Sequence, residues 1–252
     1  MPRYILLFLL LSLGSATAFA QFGIKGGITL GGTYGSAEQY DGEKIESIDP
    51  AVGYQLGIVA PVVDAGLFKL NAELVYEDRR GKKNADFTLV PAQGVAINNR
   101  VEFRNSFKYL SLPLLAAFGS DRLQVYVGPS FSYLLGAKSD VTTTTTVTPE
   151  QAAGTNGLPP GGTTTTELDL INDDAYAESY INRFNVAANA GVMIPLLPTA
   201  SLDLRVYHTL TDVTNDDEDR SIIDRAVGNP SPGLRDDFDS TVGVQANLVF
   251  RF

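Results

Sequence analysis

The sequence predicts an all-β fold: an eight-stranded antiparallel up-and-down transmembrane β-barrel with long extracellular loops and short periplasmic turns. Three observations point there. The chain opens with a secretory signal, eight later segments alternate apolar and polar residues with a period of two, and the connections between them alternate short and long. Only a strand has that period, and only helices and closed barrels satisfy every backbone group in lipid.

The opening stretch MPRYILLFLLLSLGSATAFAQ carries Arg3, an apolar run from Ile5 to Leu13 and the small-residue ending Ala18-Phe19-Ala20. This is the pattern of a signal peptide, residues 1–20, cleaved after Ala20. The run is too short for a membrane helix, which needs about twenty apolar residues. Residues 21–252 are then the barrel domain, a length suited to one domain. The chain has no cysteine, so it contains neither a lipid-attachment cysteine nor a disulfide framework.

Period-two segments occur at about 22–33, 52–62, 67–76, 107–118, 123–137, 180–194, 202–212 and 240–252. In FKLNAELVYE, Phe68, Leu70, Ala72, Leu74 and Tyr76 oppose Lys69, Asn71, Glu73 and Glu77. The closing segment STVGVQANLVFRF sets Val242, Val244, Ala246, Leu248, Phe250 and Phe252 against Thr241, Gly243, Gln245, Asn247 and Arg251. Connections run long, short, long, short, very long, short, long, so long loops emerge on one side and short turns on the other. An up-and-down meander has that property.

A soluble lipocalin-like barrel would turn the apolar face inward, and alternation alone does not choose. The signal peptide, the absence of cysteine and the loop asymmetry favour the outer membrane. So do the aromatics near both ends of the apolar faces: Phe22, Phe68, Phe118, Phe250 and Phe252 at one, Tyr34, Tyr76, Tyr133 and Phe184 at the other. The opposite face carries Lys25, Lys69, Glu73, Asp203, Arg205 and Arg251, which would be costly against lipid. Those six are expected to pair in a polar network inside the barrel, since eight strands enclose a space that side chains can fill.

The formal net charge is −10, and of the 29 acidic residues all but Asp64, Glu73, Asp121 and Asp203 fall in long loops. Such a surface disfavours nucleic acid as a partner. The third long loop, about 139–179, contains TTTTT, NGLPPGG and TTTT and has no Lys or Arg, which reads as a flexible segment without its own core. The second carries Arg79, Arg80, Lys82, Lys83, Arg100 and Arg104, a basic cluster placed to meet lipopolysaccharide phosphates or simply to be solvated. The acidic run TNDDEDR lacks the ligand spacing of a calcium loop. No metal and no cofactor is expected. His208, the single histidine, shares the outward parity of Val206 and Leu210, and no serine is singled out as its nucleophile.

FGIKGGITLG, YLSLPLLAAFG, VYVGPSFSYLLGAK, RFNVAANAGVMIPL and the terminal LVFRF resemble the PorT-type outer-membrane β-barrel family of Bacteroidota. The resemblance implies an OmpA- or OmpX-like eight-stranded barrel with both termini in the periplasm. It also implies that the outward aromatics Phe250 and Phe252 form the assembly signal read by the barrel-assembly machinery. None of these stretches transfers the founding member's role in secretion and gliding.

The functional expectation is a non-enzymatic integral outer-membrane protein whose acidic extracellular loops serve envelope integrity, adhesion or partner binding. Its expected partners are outer-membrane lipid and lipopolysaccharide, the assembly machinery during insertion, and an extracellular or envelope protein. A narrow channel or a secretion-associated barrel component is the alternative, and a lipid-modifying enzyme using His208 is the third reading.

Overall fold

A computed structural model describes residues 22–92, 94–120, 122–150, 153–154, 159–171, 181–215, 217, 233–235 and 237–252. The expected signal peptide and parts of the third and fourth long connections lie outside the described residues. The strands are β1 (Gly23–Tyr34), β2 (Gln39–Tyr40), β3 (Glu43–Lys44), β4 (Glu46–Ala65), β5 (Phe68–Ala92), β6 (Val95–Ser120), β7 (Leu123–Thr148), β8 (Gly162–Asp169), β9 (Phe184–Leu197), β10 (Ala200–Thr209) and β11 (Ser240–Arg251).

Eight of these, β1, β4, β5, β6, β7, β9, β10 and β11, form a ring in which each is hydrogen-bonded to its antiparallel neighbours. The ring closes where β1 pairs with β11, from Gly23 opposite Arg251 to Tyr34 opposite Ser240. Closure removes both sheet edges and satisfies the backbone without water. At the tight β4–β5 turn, Gly66 has φ +76° and its N–H donates to Asp64 Oδ1 at 3.1 Å. A glycine suits that left-handed position because a Cβ would be strained there.

The alternation in β11 decides which face looks outward. Val242, Val244, Leu248 and Phe250 are exposed, whereas Thr241, Gln245, Asn247 and Val249 are buried. A soluble barrel would show the reverse, so the apolar face is the lipid face. Aromatic pairs mark its two rims. Phe68 and Phe118 lie 5.0 Å apart at the short-turn end, and Tyr54 with Tyr76 and Phe131 with Phe184 lie 6.3 and 6.4 Å apart at the other.

Two expectations about the loops are corrected. A spanning strand needs about 9–11 residues, but β5, β6 and β7 have 25, 26 and 26. The segment 77–106, read as a loop, is an extension of the β5–β6 hairpin that stays paired from Phe68 opposite Phe118 to Ala92 opposite Val95. Much of the Thr-rich segment is also strand. β7 continues along β6 as far as Thr148 opposite Ala96, and β8 pairs with β7 from Lys138 opposite Asp169 to Thr145 opposite Gly162. Polar β-branched residues fit a pleated surface wetted on one side, and Thr142 with Thr165 and Thr144 with Thr163 exchange hydroxyl hydrogen bonds at 3.1 Å. The end of the barrel opposite the short turns is therefore a folded head with its own apolar cluster of Ala85, Phe87 and Val101, backed by Tyr40, Ile45, Leu89, Phe103 and Val141.

Candidate functional site

Inside the barrel the strands present one layer of side chains above another. At the short-turn end Val59, Leu115, Ala117, Tyr126, Met193 and Val249 pack as an apolar layer. Above it lies the charged centre. Lys25 on β1 donates to Glu73 Oε2 on β5 at 2.9 Å and to Asp203 Oδ2 on β10 at 3.0 Å. Arg205 donates to Glu73 Oε1 at 2.8 Å and to Asp203 Oδ2 at 3.2 Å. Asn247 donates to Asp203 at 3.2 Å, and the Tyr126 hydroxyl donates to Asp203 while accepting from Arg205 Nε at 3.0 Å.

Two cations and two carboxylates, with side chains at most 1% exposed, thus neutralise one another across the lumen. Charges so deprived of water are tolerated only when fully paired. The structure brings together four of the six sequence-selected residues. Lys69 instead pairs with Asp64 at 3.2 Å near the short-turn mouth. Arg251 points its guanidinium at Met193 Sδ, 2.9 Å away.

A second polar layer centres on Arg79, which the sequence places in the second long loop. Arg79 donates from Nε to Glu77 at 2.6 Å and from Nη2 to Ser132 Oγ at 3.2 Å. Its guanidinium lies 4.7 Å from the centre of the Tyr109 ring and 4.9 Å from that of Tyr207, a cation–π sandwich. The signal was available, since Glu77 and Arg79 continue the inward parity of Lys69, Asn71 and Glu73. Above this layer Phe107, Tyr109, Leu134, Ala137, Leu170, Ile171, Ile181 and Val213 form an apolar plug.

Arg79 therefore does not belong to an exposed basic cluster, and its former companions are paired. Arg80 meets Asp78 at 2.7 Å, Lys82 meets Glu102 at 2.9 Å, Lys83 meets Glu46 at 2.9 Å, Arg100 meets Asp86 at 2.8 Å and Arg104 meets Glu102 at 2.5 Å. Hydrogen bonds from Lys82 and Arg104 hold the Glu102 carboxyl below its usual range. His208 is on the outer face, opposite Val242 on one neighbour and Ala188 on the other. Phe250 and Phe252 are both exposed, and the Phe252 N–H donates to Phe22 O at 3.0 Å. Among the described residues no group of three or more His, Cys, Asp or Glu side chains is placed to hold a metal.

An apolar band outside, a filled polar lumen inside, aromatic rims and a closed eight-stranded ring define an outer-membrane barrel protein. The family model described as outer membrane protein beta-barrel domain matches residues 15–215, and the chain belongs to that family. Similar solved structures include Neisserial surface protein A (NspA), at 11% identity over 92% of this chain and 97% of that chain with a TM-score of 0.37. Ail, the attachment invasion locus protein of Yersinia pestis, is similar at 11% identity over 92% and 99% with a TM-score of 0.34. The outer membrane protease OmpT from Escherichia coli is similar at 7% identity over 94% and 99% with a TM-score of 0.35. No curated protein sequence matches the chain.

Proposed function

We propose that the protein is a non-enzymatic, non-conducting barrel that holds a folded β-head outside the cell to contact a partner there, serving adhesion or envelope integrity. One observation carries this reading: the lumen is blocked by the neutral Lys25–Glu73–Asp203–Arg205 centre and the apolar plug above it, while β5, β6 and β7 run far past the membrane. A chain that spends half of its longest strands beyond lipid and fills its own bore is built for presentation rather than passage.

The short turns and both termini face the periplasm in this reading, and the head faces lipopolysaccharide and other surface proteins. Phe250 and Phe252, outward on the last strand, serve as the assembly signal. The PorT-type likeness supports a shared scaffold only, because its motifs lie on barrel strands and none lies at the tip of the head; no secretion role is assigned. His208 faces lipid on the side of the sheet opposite the buried Ser130 and Ser132, which argues against a hydrolytic pair.

Planar-bilayer recording tests the reading directly. Purified barrel should give no stepwise conductance, and photo-crosslinkers placed in the head should capture a surface component on intact cells. Reproducible single-channel steps would replace this proposal with the narrow-channel alternative.

A further inference from the structure

Above the apolar plug, the extended strands and the segments beside them line a partly open chamber of about 300 Å³. Its wall includes Ile48, Val101, Phe103, Val141 and Leu168, and its floor is formed by Phe107, Leu170, Ile181 and Val213 of the plug. Protein interiors are close-packed, with few voids larger than a water molecule. A space of about ten water volumes, lined mainly by apolar surface but also by polar residues that include Thr33, Asn105 and Thr143, contrasts with the paired charged centre and apolar plug below it. It is at the lower end of the range for small-molecule sites, about 300–1,000 Å³.

One wall residue gives the chamber chemical direction. Ser139, 3% exposed, shares the inward parity of Ala137 and Val141, and its hydroxyl has no hydrogen-bond partner among the described residues. A buried hydroxyl left unpaired costs free energy that a ligand's polar group would recover. The charged groups along the wall are already engaged. Glu46 receives Lys83 at 2.9 Å and Arg235 at 3.0 Å, Lys82 holds Glu102 at 2.9 Å, and Asp239 accepts from Thr214 at 2.7 Å. An ionised ligand would have to break one of these pairs, whereas a neutral one would not.

We propose that this chamber binds an uncharged aliphatic amphiphile of about ten non-hydrogen atoms, its chain against Val101, Phe103, Val141 and Leu168 and its hydroxyl or carbonyl on Ser139. The site is independent of the bilayer and of the charged centre. It gives the head a ligand as well as a surface.

The chain has no tryptophan, so a single introduced indole reports without background. In nanodiscs, Phe103→Trp and, separately, Leu168→Trp place the reporter in the chamber wall, and Leu112→Trp places it on the lipid face. With 8-bromo-1-octanol as quencher, both chamber reporters should quench saturably, while Leu112→Trp should quench in proportion to bulk partitioning. Adding Ser139→Ala should weaken half-saturation by about three- to tenfold, the equivalent of one neutral hydrogen bond, and should leave quenching by 1-bromooctane unchanged. Octanoate should compete poorly with the alcohol. Linear quenching at both chamber positions, matching Leu112→Trp, overturns the site; saturable quenching indifferent to Ser139→Ala overturns the role of the hydroxyl.

Discussion

Lys25 reaches past β4, its immediate neighbour, to hold Glu73 at 2.9 Å. The two side chains are 0% and 1% exposed, and Lys25 completes the square by holding Asp203 at 3.0 Å. Lys25→Met would leave two carboxylates sharing Arg205 in a site without water. Breaking a buried pair by removing one partner costs about 3–5 kcal/mol. The temperature at which the fast-migrating folded band is lost on unheated gels should fall clearly. The double variant Lys25→Met/Glu73→Gln, which leaves Arg205 paired with Asp203, should fall less than the sum of its single changes. Additive losses would mean that the four charges do not act as a unit.

Tyr126 lies over Gly191, its cross-strand partner on β9, and this is what lets its hydroxyl reach Asp203. A Cβ at residue 191 would come within 2.5 Å of Leu204 O and of the Tyr126 ring. The carbonyl belongs to the β9–β10 ladder and has nowhere to go. At residue 243 the three atoms nearest an added Cβ all belong to the Tyr207 side chain, the closest at 2.6 Å, and a side chain can rotate. Overpacking of this kind costs about 1–3 kcal/mol, so Gly191→Ala should lower the urea midpoint of the refolded barrel more than Gly243→Ala. Equal midpoints would show that ring displacement, not the backbone, sets the cost.

How much was legible follows from where periodicity is strong. The eight barrel strands could be read because lipid imposes a strict apolar parity, and Lys25, Glu73, Asp203 and Arg205 stood out as charges on the opposite parity. Above the membrane both faces meet water or small apolar clusters, so the parity weakens. Thr142–Thr146 then resembles a flexible tract, although each threonine is in register with β6. Arg79 was hidden differently: charged neighbours Asp78 and Arg80 flank it, so the inward alternation was masked by composition. The chamber could not have been foreseen, since Ser139, Leu168 and Val213 converge only through the pairing of β7 with β8 and the fold of the later loop.

The head should loosen without the barrel. Phe87, 6.4 Å from Tyr40 between ring centres, anchors the small cluster with Ala85 and Val101, which is separate from the apolar plug. Phe87→Ala removes side-chain volume worth about 3–5 kcal/mol in a well-packed core. Trypsin added to intact cells should then cut at Lys82 or Arg100, while the folded band and its unfolding temperature stay at wild-type values. A barrel that melts together with its head would show one cooperative unit rather than two.

The protease test on intact cells depends on topology, which has its own test. The head is assigned outward from its length, its charge and the short turns opposite. Cysteine is absent from the chain, which makes single introductions clean. Ser36, Thr88, Thr164 and Asp217 are exposed at the head end, and Asp64 and Ser120 are exposed at the short turns. On intact cells a membrane-impermeant maleimide should label cysteine at each of the first four and at neither of the last two, and detergent should open all six. The two sets cannot exchange by local motion, because strands of the closed ring separate them on every path. The reverse pattern would place the folded head in the periplasm, where a chamber and partner surface would serve the envelope from within.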